Sequence, residues 1–182
     1  MISSHARISG LMRYAVTGTP GVGKTSSCSL VRTVRVMCVN DIVDELGAVV
    51  GYDEARGTKE VDVEELARRT AEMEGTLLFE GHFSHLLGVD LAVVLRCSPH
   101  VLGERLRAKG WGEAKVRENM EAEAVDVVLV EALEAVPKVC EIDTTRMSPG
   151  QVAAAIEDVV AGETEKYPVG NVDWSREVLS WF

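Results

Sequence analysis

Residues Gly18-Thr19-Pro20-Gly21-Val22-Gly23-Lys24-Thr25 carry the spacing G-x-x-x-x-G-K-T. Glycines free the backbone to curl, so that successive N–H groups can surround phosphate oxygens. A helix N-terminus directly after the loop adds partial positive charge at the same point. In such a loop Lys24 reaches the β- and γ-phosphates and Thr25 ligates Mg²⁺. The expected ATP contacts are therefore Gly21, Gly23, Lys24, Thr25 and Ser26, with Mg²⁺ accompanying the nucleotide. A chance glycine-rich turn is the competing explanation. It fits poorly, because the motif lies between an apolar strand pattern (Tyr14 to Thr17) and a helix pattern.

A phosphate loop also needs a carboxylate near its metal. The apolar run Thr76-Leu77-Leu78-Phe79 ends in Glu80, which sits where a buried strand would meet the rim of a site. A solvated Glu after a strand is the plainer alternative. His82, two residues on, has the chemistry to orient substrate or move a proton, or simply to pack. His82 and His85 have i, i+3 spacing, but no third metal ligand accompanies them. In-line phosphoryl transfer needs positioned positive charge. Arg105 and Lys109, at i, i+4, share one helix face and lead into Gly110-Trp111-Gly112, a hinge that suits a closing lid at about 108–118. Arg96 and Arg107 stand in reserve. The alternative is a solvated face paired with Glu104 and Glu113. For an acceptor, the weaker candidates are Asn40, Asp41 and Arg56, within an insert at about 39–62 that contains the polar loop Gly51 to Gly57.

These residues have to be held by an alternation of strand and helix patterns, which predicts an α/β fold: a three-layer P-loop sandwich around a parallel sheet. The expected strands are Tyr14 to Thr17, Val34 to Val39, Thr76 to Phe79, Asp90 to Leu95 and Lys138 to Ile142. The expected helices are Lys24 to Thr33, Asn40 to Leu46 with Asn40-Asp41 as its cap, Val61 to Glu74, Pro99 to Lys109, one long helix from Glu113 to Val136, and Pro149 to Ala161. Gly47 to Lys59 reads as loop. Asp173 caps a short last helix whose Trp174, Leu179, Trp181 and Phe182 dock the C-terminus. Residues 1–12 read as a mobile leader before a single domain over 13–182, with Met12 a candidate start.

At 182 residues the chain can bury a core without disulfides. A net charge of −10 argues against unaided nucleic-acid binding. The four cysteines show neither C-x-x-C nor zinc spacing, so they read as buried thiols in a reducing compartment. No apolar run has the ~18 residues of a membrane span. The cytoplasm is the expected location, with no membrane partner. No Asn-Lys-x-Asp guanine-reading motif is present, which argues against a GTPase and leaves a small-molecule kinase.

With these residues the chain resembles the atypical adenylate kinases, the sixth isoenzyme of eukaryotes and its archaeal relatives. The carrying segments are Thr17 to Thr25, Gly51-Tyr52-Asp53-Glu54, Glu80-Gly81-His82, Val94-Leu95-Arg96, Val101 to Leu106, and Gly110-Trp111 with Lys115 and Glu118-Asn119. The resemblance implies a nucleoside monophosphate kinase fold with five parallel strands. It also implies reversible transfer between ATP and AMP or another nucleoside monophosphate, and a slower ATPase. It implies a transient partnership with a platform protein of the pre-ribosomal small subunit, the eleventh of the universal set. Glu80 and His82 then belong to the Mg²⁺ and catalytic region. Departures are Glu80 in place of the family's Asp, Lys109 for an arginine, and Trp111 for a tyrosine. Two other readings remain open: an ATP-gated ribosome assembly factor with incidental kinase turnover, and a kinase of a non-nucleotide small molecule.

Overall fold

The computed structural model describes residues 11–53 and 58–181. Most of the expected leader and the candidate acceptor residue Arg56 therefore lie outside the described residues. Along the chain, β1 (Arg13–Thr17) passes through the phosphate loop into α1 (Lys24–Cys28), then β2 (Arg35–Cys38) and α2 (Val39–Leu46). A hairpin of β3 (Val49–Asp53) and β4 (Thr58–Val61) precedes α3 (Val63–Ala71) and β5 (Leu77–Glu80). β6 (Leu91–Arg96), α4 (Pro99–Ala108), α5 (Glu113–Ala124) and α6 (Val127–Ala135) follow. β7 (Val139–Asp143), α7 (Pro149–Val160) and α8 (Ser175–Leu179) complete the order.

The main sheet has five parallel strands in the order β2-β5-β1-β6-β7, as expected for a P-loop α/β fold. Its central strands are buried on both faces, so they read as continuous apolar runs rather than alternating ones. Tyr14, Val16, Val93 and Leu95 point to one face, where Leu102 and Leu106 of α4 and Val152, Ile156 and Val159 of α7 cover them. Ala15, Phe79 and Ala92 point to the other, under Val39, Ile42 and Val43 of α2 and Leu66 of α3. The C-terminal ends of β1 and β5 lie side by side, with Val16 paired to Glu80. In an open α/β sheet the crevice outside these carboxyl ends is where ligands bind.

Several local expectations are corrected. α1 stops at Cys28 rather than Thr33. Ser29 turns its hydroxyl back to Ser26 O at 3.0 Å, and the N–H groups of Leu30 and Val31 bond three residues back, which tightens and ends the helix. The cap of α2 is Cys38, not Asn40 or Asp41. The loop expected over 47–59 instead holds β3 and the start of its antiparallel partner β4, which runs to Val61. The long helix expected from Glu113 breaks at Asp126, whose φ is 60°. There the buried Arg96 guanidinium takes Glu123 O, at 3.2 Å, together with the Asp126 carboxylate. A carbonyl engaged by arginine is poorly placed to continue the helix, and Asp tolerates the left-handed conformation.

Of the apolar residues expected to dock the C-terminus, Trp174 is partly buried and its Nε1 lies 3.4 Å from Glu123 Oε1, and polar contacts hold the rest of the helix. Leu179 is 74% exposed and Trp181 39%, while Phe182 is outside the described residues. Instead the Glu177 carboxylate accepts from Ser98 Oγ at 2.7 Å and His100 N at 2.6 Å, at the start of α4. All four cysteines are free thiols, three of them buried. Burial pushes Cys28 up to about 12 and Cys97 to about 11, which leaves both protonated and inert at neutral pH. Among the described residues no helix is long and apolar enough to cross a membrane.

Candidate active site

The phosphate loop is shaped by what surrounds it. At Gly18, with φ 136°, a Cβ would lie 2.4 Å from Leu95 O of the neighbouring strand. At Gly21, with φ 98°, it would lie 2.8 Å from methyl carbons of both Leu102 and Leu106. Only glycine meets both the left-handed backbone and the close approach. The loop is pinned from outside as well, since Thr144 Oγ1 donates to Val22 O at 2.8 Å. Lys24 is 8% exposed and donates from Nζ to Gly18 O at 2.6 Å and Thr19 O at 3.1 Å. Burial lowers its pKa to about 8, with Glu80 and Glu123 pulling it back up. A bound phosphate would supply the missing counter-charge.

β5 delivers Glu80 to the same place. Its carboxylate is 6% exposed and accepts from Thr25 Oγ1 at 2.9 Å. A single carboxylate beside a hydroxyl is a sparse donor set, and Mg²⁺ is commonly held by one or two protein oxygens together with substrate phosphates and water. The set therefore fits Mg²⁺ arriving with a nucleotide, and Thr25 and Glu80 are the residues that would hold it. Among the described residues there is no group of three or more His, Cys, Asp or Glu that could hold a metal unaided.

The turn after β5 packs tightly on α2, where a Cβ on Gly81 would meet Val39 Cβ at 2.9 Å. That contact brings Asn40 to the cleft that Glu80 and His82 line. The His82 ring sits edge-on to Phe83, with centroids 4.7 Å apart. Desolvation, then the Lys24 ammonium, lower its pKa, so it is a neutral group near the phosphate loop. Thr17 Oγ1 donates to His82 O at 2.9 Å and meets His85 Nδ1 at 2.9 Å. His85 is 1% exposed; its Nε2 has no hydrogen bond and stands 3.5 Å from the Glu131 carboxylate. Burial holds it neutral, at about 4. His85 thus braces the turn, and does not pair with His82 as a metal ligand.

The cleft between these groups measures about 310 Å³. Gly21, Gly23, Lys24, Thr25 and Ser26 form its floor, and Lys109 and Trp111 reach it from the connection between α4 and α5. Lys115 Nζ lies 5.5 Å from the Trp111 ring centroid, a cation–π contact within that wall. The other expected cations are placed differently. Arg105 is not part of the lining: its guanidinium donates to Thr144 O at 2.9 Å and Thr145 O at 3.2 Å, and lies 3.5 Å from Val22 O. Arg107 is spent on Glu113, at 2.7 Å on the exposed surface. Arg96 is not a reserve phosphate ligand. It is 1% exposed and bonded to Glu123, Glu141 and Asp126. Asp41 is exposed and outside the lining, so of the acceptor candidates among the described residues only Asn40 reaches the cleft.

A protein-family model described as an AAA domain matches residues 15–126. A protein named "Putative adenylate kinase" from Archaeoglobus fulgidus is 45% identical over 172 residues, covering 92% of this chain and 94% of its own. One of the same name from Methanothermobacter thermautotrophicus is 43% identical, covering 90% and 98%. The chain belongs to this adenylate kinase-like P-loop family. Shikimate kinase from Acinetobacter baumannii, in complex with shikimate, superposes with a TM-score of 0.59 over 85% of this chain and 95% of its own, at 14% identity. That likeness is one of fold. Within the family fold, sequence reasoning missed Thr17, His85 and Glu123 as supports of the site. Thr17 was visible as the last residue before the loop. Glu123 sits in a run of charged helical residues, Glu118 to Glu123, where nothing marks one acid as buried.

Proposed function

We propose that this protein is a nucleoside monophosphate kinase, transferring the γ-phosphoryl group of ATP to AMP or another nucleoside monophosphate. The observation that carries the reading is the Thr25–Glu80 contact at 2.9 Å, in a cleft that Lys24 and Asn40 also line. ATP lies with its phosphates on Gly21 to Ser26, and Lys24 exchanges the Gly18 and Thr19 carbonyls for phosphate oxygens. Mg²⁺, held by Thr25 and Glu80, supplies charge neutralisation for the transferring group when bound. Neutral His82 orients the acceptor phosphate and can hold a proton at the mouth of the cleft. Lys109, with Trp111, forms the wall that excludes water, and a lid over 108–118 closes around the phosphates. Arg105 stabilises this arrangement through the Val22 and Thr144 backbone.

Names of the archaeal relatives and the resemblance in sequence support adenosine nucleotides as substrates. A slower ATPase, a cytoplasmic location and transient binding to the small-subunit platform protein rest on the resemblance alone. A screen of AMP, CMP, UMP, GMP and their deoxy forms with ATP·Mg²⁺ tests the assignment. At least one monophosphate should accelerate ADP formation; acceleration by shikimate-like or sugar acceptors alone would replace it.

A further inference from the structure

The phosphate loop touches one charged group that the chemistry above does not use. Thr19 is 2% exposed and donates its hydroxyl to Glu123 Oε2 at 2.6 Å. Glu123, also 2% exposed, stands at the C-terminal end of α5. Its Oε1 accepts from Arg96 Nε at 2.7 Å, Cys97 N at 3.2 Å and Trp174 Nε1 at 3.4 Å. On the loop side, Thr19 O accepts from Lys24 Nζ at 3.1 Å and from Val22 N at 3.3 Å. A continuous chain of polar contacts thus runs from the Lys24 ammonium through residue 19 to a buried carboxylate, and on to Arg96 at the end of β6.

The position of Glu123 along α5 gives this chain its reach. The helix starts at Glu113, just beyond Trp111, which lines the cleft. α5 therefore begins two residues beyond a cleft-lining side chain and carries the tie to the phosphate loop near its end. A hydroxyl donating to an ionised acceptor makes a bond roughly twice as strong as one to a neutral group. Such a bond fixes the Thr19 rotamer, and with it the course of the loop backbone at residue 19.

We propose that Glu123 is a positioning residue for phosphoryl transfer: its buried carboxylate, acting through the Thr19 hydroxyl, holds the phosphate loop in its binding shape and ties it to α5, the helix that follows the cleft-lining turn at Trp111. The proposal rests on the reading of the loop as an ATP site. Glu123 touches no reacting atom; it acts through the Thr19 hydroxyl and through its charge near Lys24.

Three single variants and one double variant test this. Thr19→Val removes the hydroxyl and leaves the Glu123–Arg96 pair, Thr19→Ser restores the hydroxyl, and Glu123→Gln removes the charge. ATP·Mg²⁺ affinity is measured by titration with a fluorescent ATP analogue, alongside turnover and melting temperature, well below every melt. Thr19→Val should lose about tenfold in ATP affinity or kcat, and Thr19→Ser should stay within about twofold of the wild type. Glu123→Gln should lose at least as much as Thr19→Val, because it also weakens the Arg96 pair and the field at Lys24, and Thr19→Val made in the Glu123→Gln background should cost less than in the wild type. Agreement of Thr19→Val with the wild type within about twofold in both quantities, or impairment of Thr19→Ser to the same degree, overturns the proposal and assigns residue 19 to packing. A wild type that binds ATP while Thr19→Val equals it defeats only the positioning role. A wild type that binds no ATP defeats the reading of the loop itself, and the proposal with it.

Discussion

Replacing Arg96 by methionine should destabilise the protein strongly at neutral pH and much less in mild acid. The Arg96 side chain is buried with Glu123 and Glu141, which are 2% and 0% exposed, and it reaches the half-exposed Asp126. Each guanidinium–carboxylate pair, with charge centres ~4 Å apart, contributes ~4 kcal/mol at an effective dielectric of ~20. Methionine fills much of the volume but leaves both buried carboxylates without their cation. Glu123 keeps donors from Thr19, Cys97 N and Trp174, whereas Glu141 keeps the Gly170 N–H at 2.8 Å. The less supported carboxylate escapes by taking up a proton. From an ordinary carboxyl pKa of about 4.3, that costs at most ~4 kcal/mol at pH 7 and ~1 kcal/mol at pH 5. The upper figure agrees with the ~3–5 kcal/mol typical of breaking a buried pair. In the variant the folded carboxyl pKa is raised above its unfolded value, so the gap to the wild type narrows as pH falls. Urea unfolding of both proteins at pH 7 and pH 5 measures it. Arg107→Met, which breaks the exposed pair with Glu113, is the control and should leave stability unchanged. A loss under ~1 kcal/mol at pH 7, or an equal loss at both pH values, would refute the assignment of Arg96 as the counter-charge of this cluster.

The Lys24 ammonium should produce an alkaline limb near pH 8 in kcat/KM for ATP, because the charged form exists below its lowered pKa and kcat/KM reports the free enzyme. The kcat limb should lie higher, since bound phosphates favour the ammonium; coincident limbs would remove Lys24 as the titrating group. Unfolding is not the cause of such a limb: a lysine depressed from 10.5 in the folded state favours folding as pH rises from 8 to 10.5. Glu80→Gln keeps an acceptor for Thr25 but loses the charge, so the Mg²⁺ concentration for half-maximal turnover should rise about 10–100-fold. An unchanged Mg²⁺ titration would show that Glu80 is not a ligand. His82→Ala should lower kcat by about a hundredfold or more with ATP affinity kept; unchanged turnover would assign His82 to packing.

The sheet was legible because its strands are short apolar runs ended by polar or glycine residues, and because the phosphate loop fixes a strand before it and a helix after it. Glu80 was legible for the same reason, as the acid that closes Leu77–Phe79. The hairpin at 49–61 was not, since Gly51 interrupts its alternation and half of β4 is charged. The break at Asp126 was invisible because its cause is remote in sequence: Arg96, thirty residues upstream, captures the Glu123 carbonyl. The same distance hid the fate of the cations. Arg96, Arg105 and Arg107 form one basic cluster in the sequence, yet one is buried with acids, one braces backbone carbonyls and one faces solvent. Charge alone carries no information about which partner a side chain meets.

The central claim is phosphoryl transfer to a nucleoside monophosphate, and AMP-dependent ADP formation tests it most directly. Purified protein with ATP·Mg²⁺ should form ADP faster when AMP is added, with two ADP appearing for each AMP consumed, and Lys24→Met should abolish the reaction. ADP formation at one rate with or without AMP, accompanied by equimolar free phosphate, would contradict it and leave an ATPase.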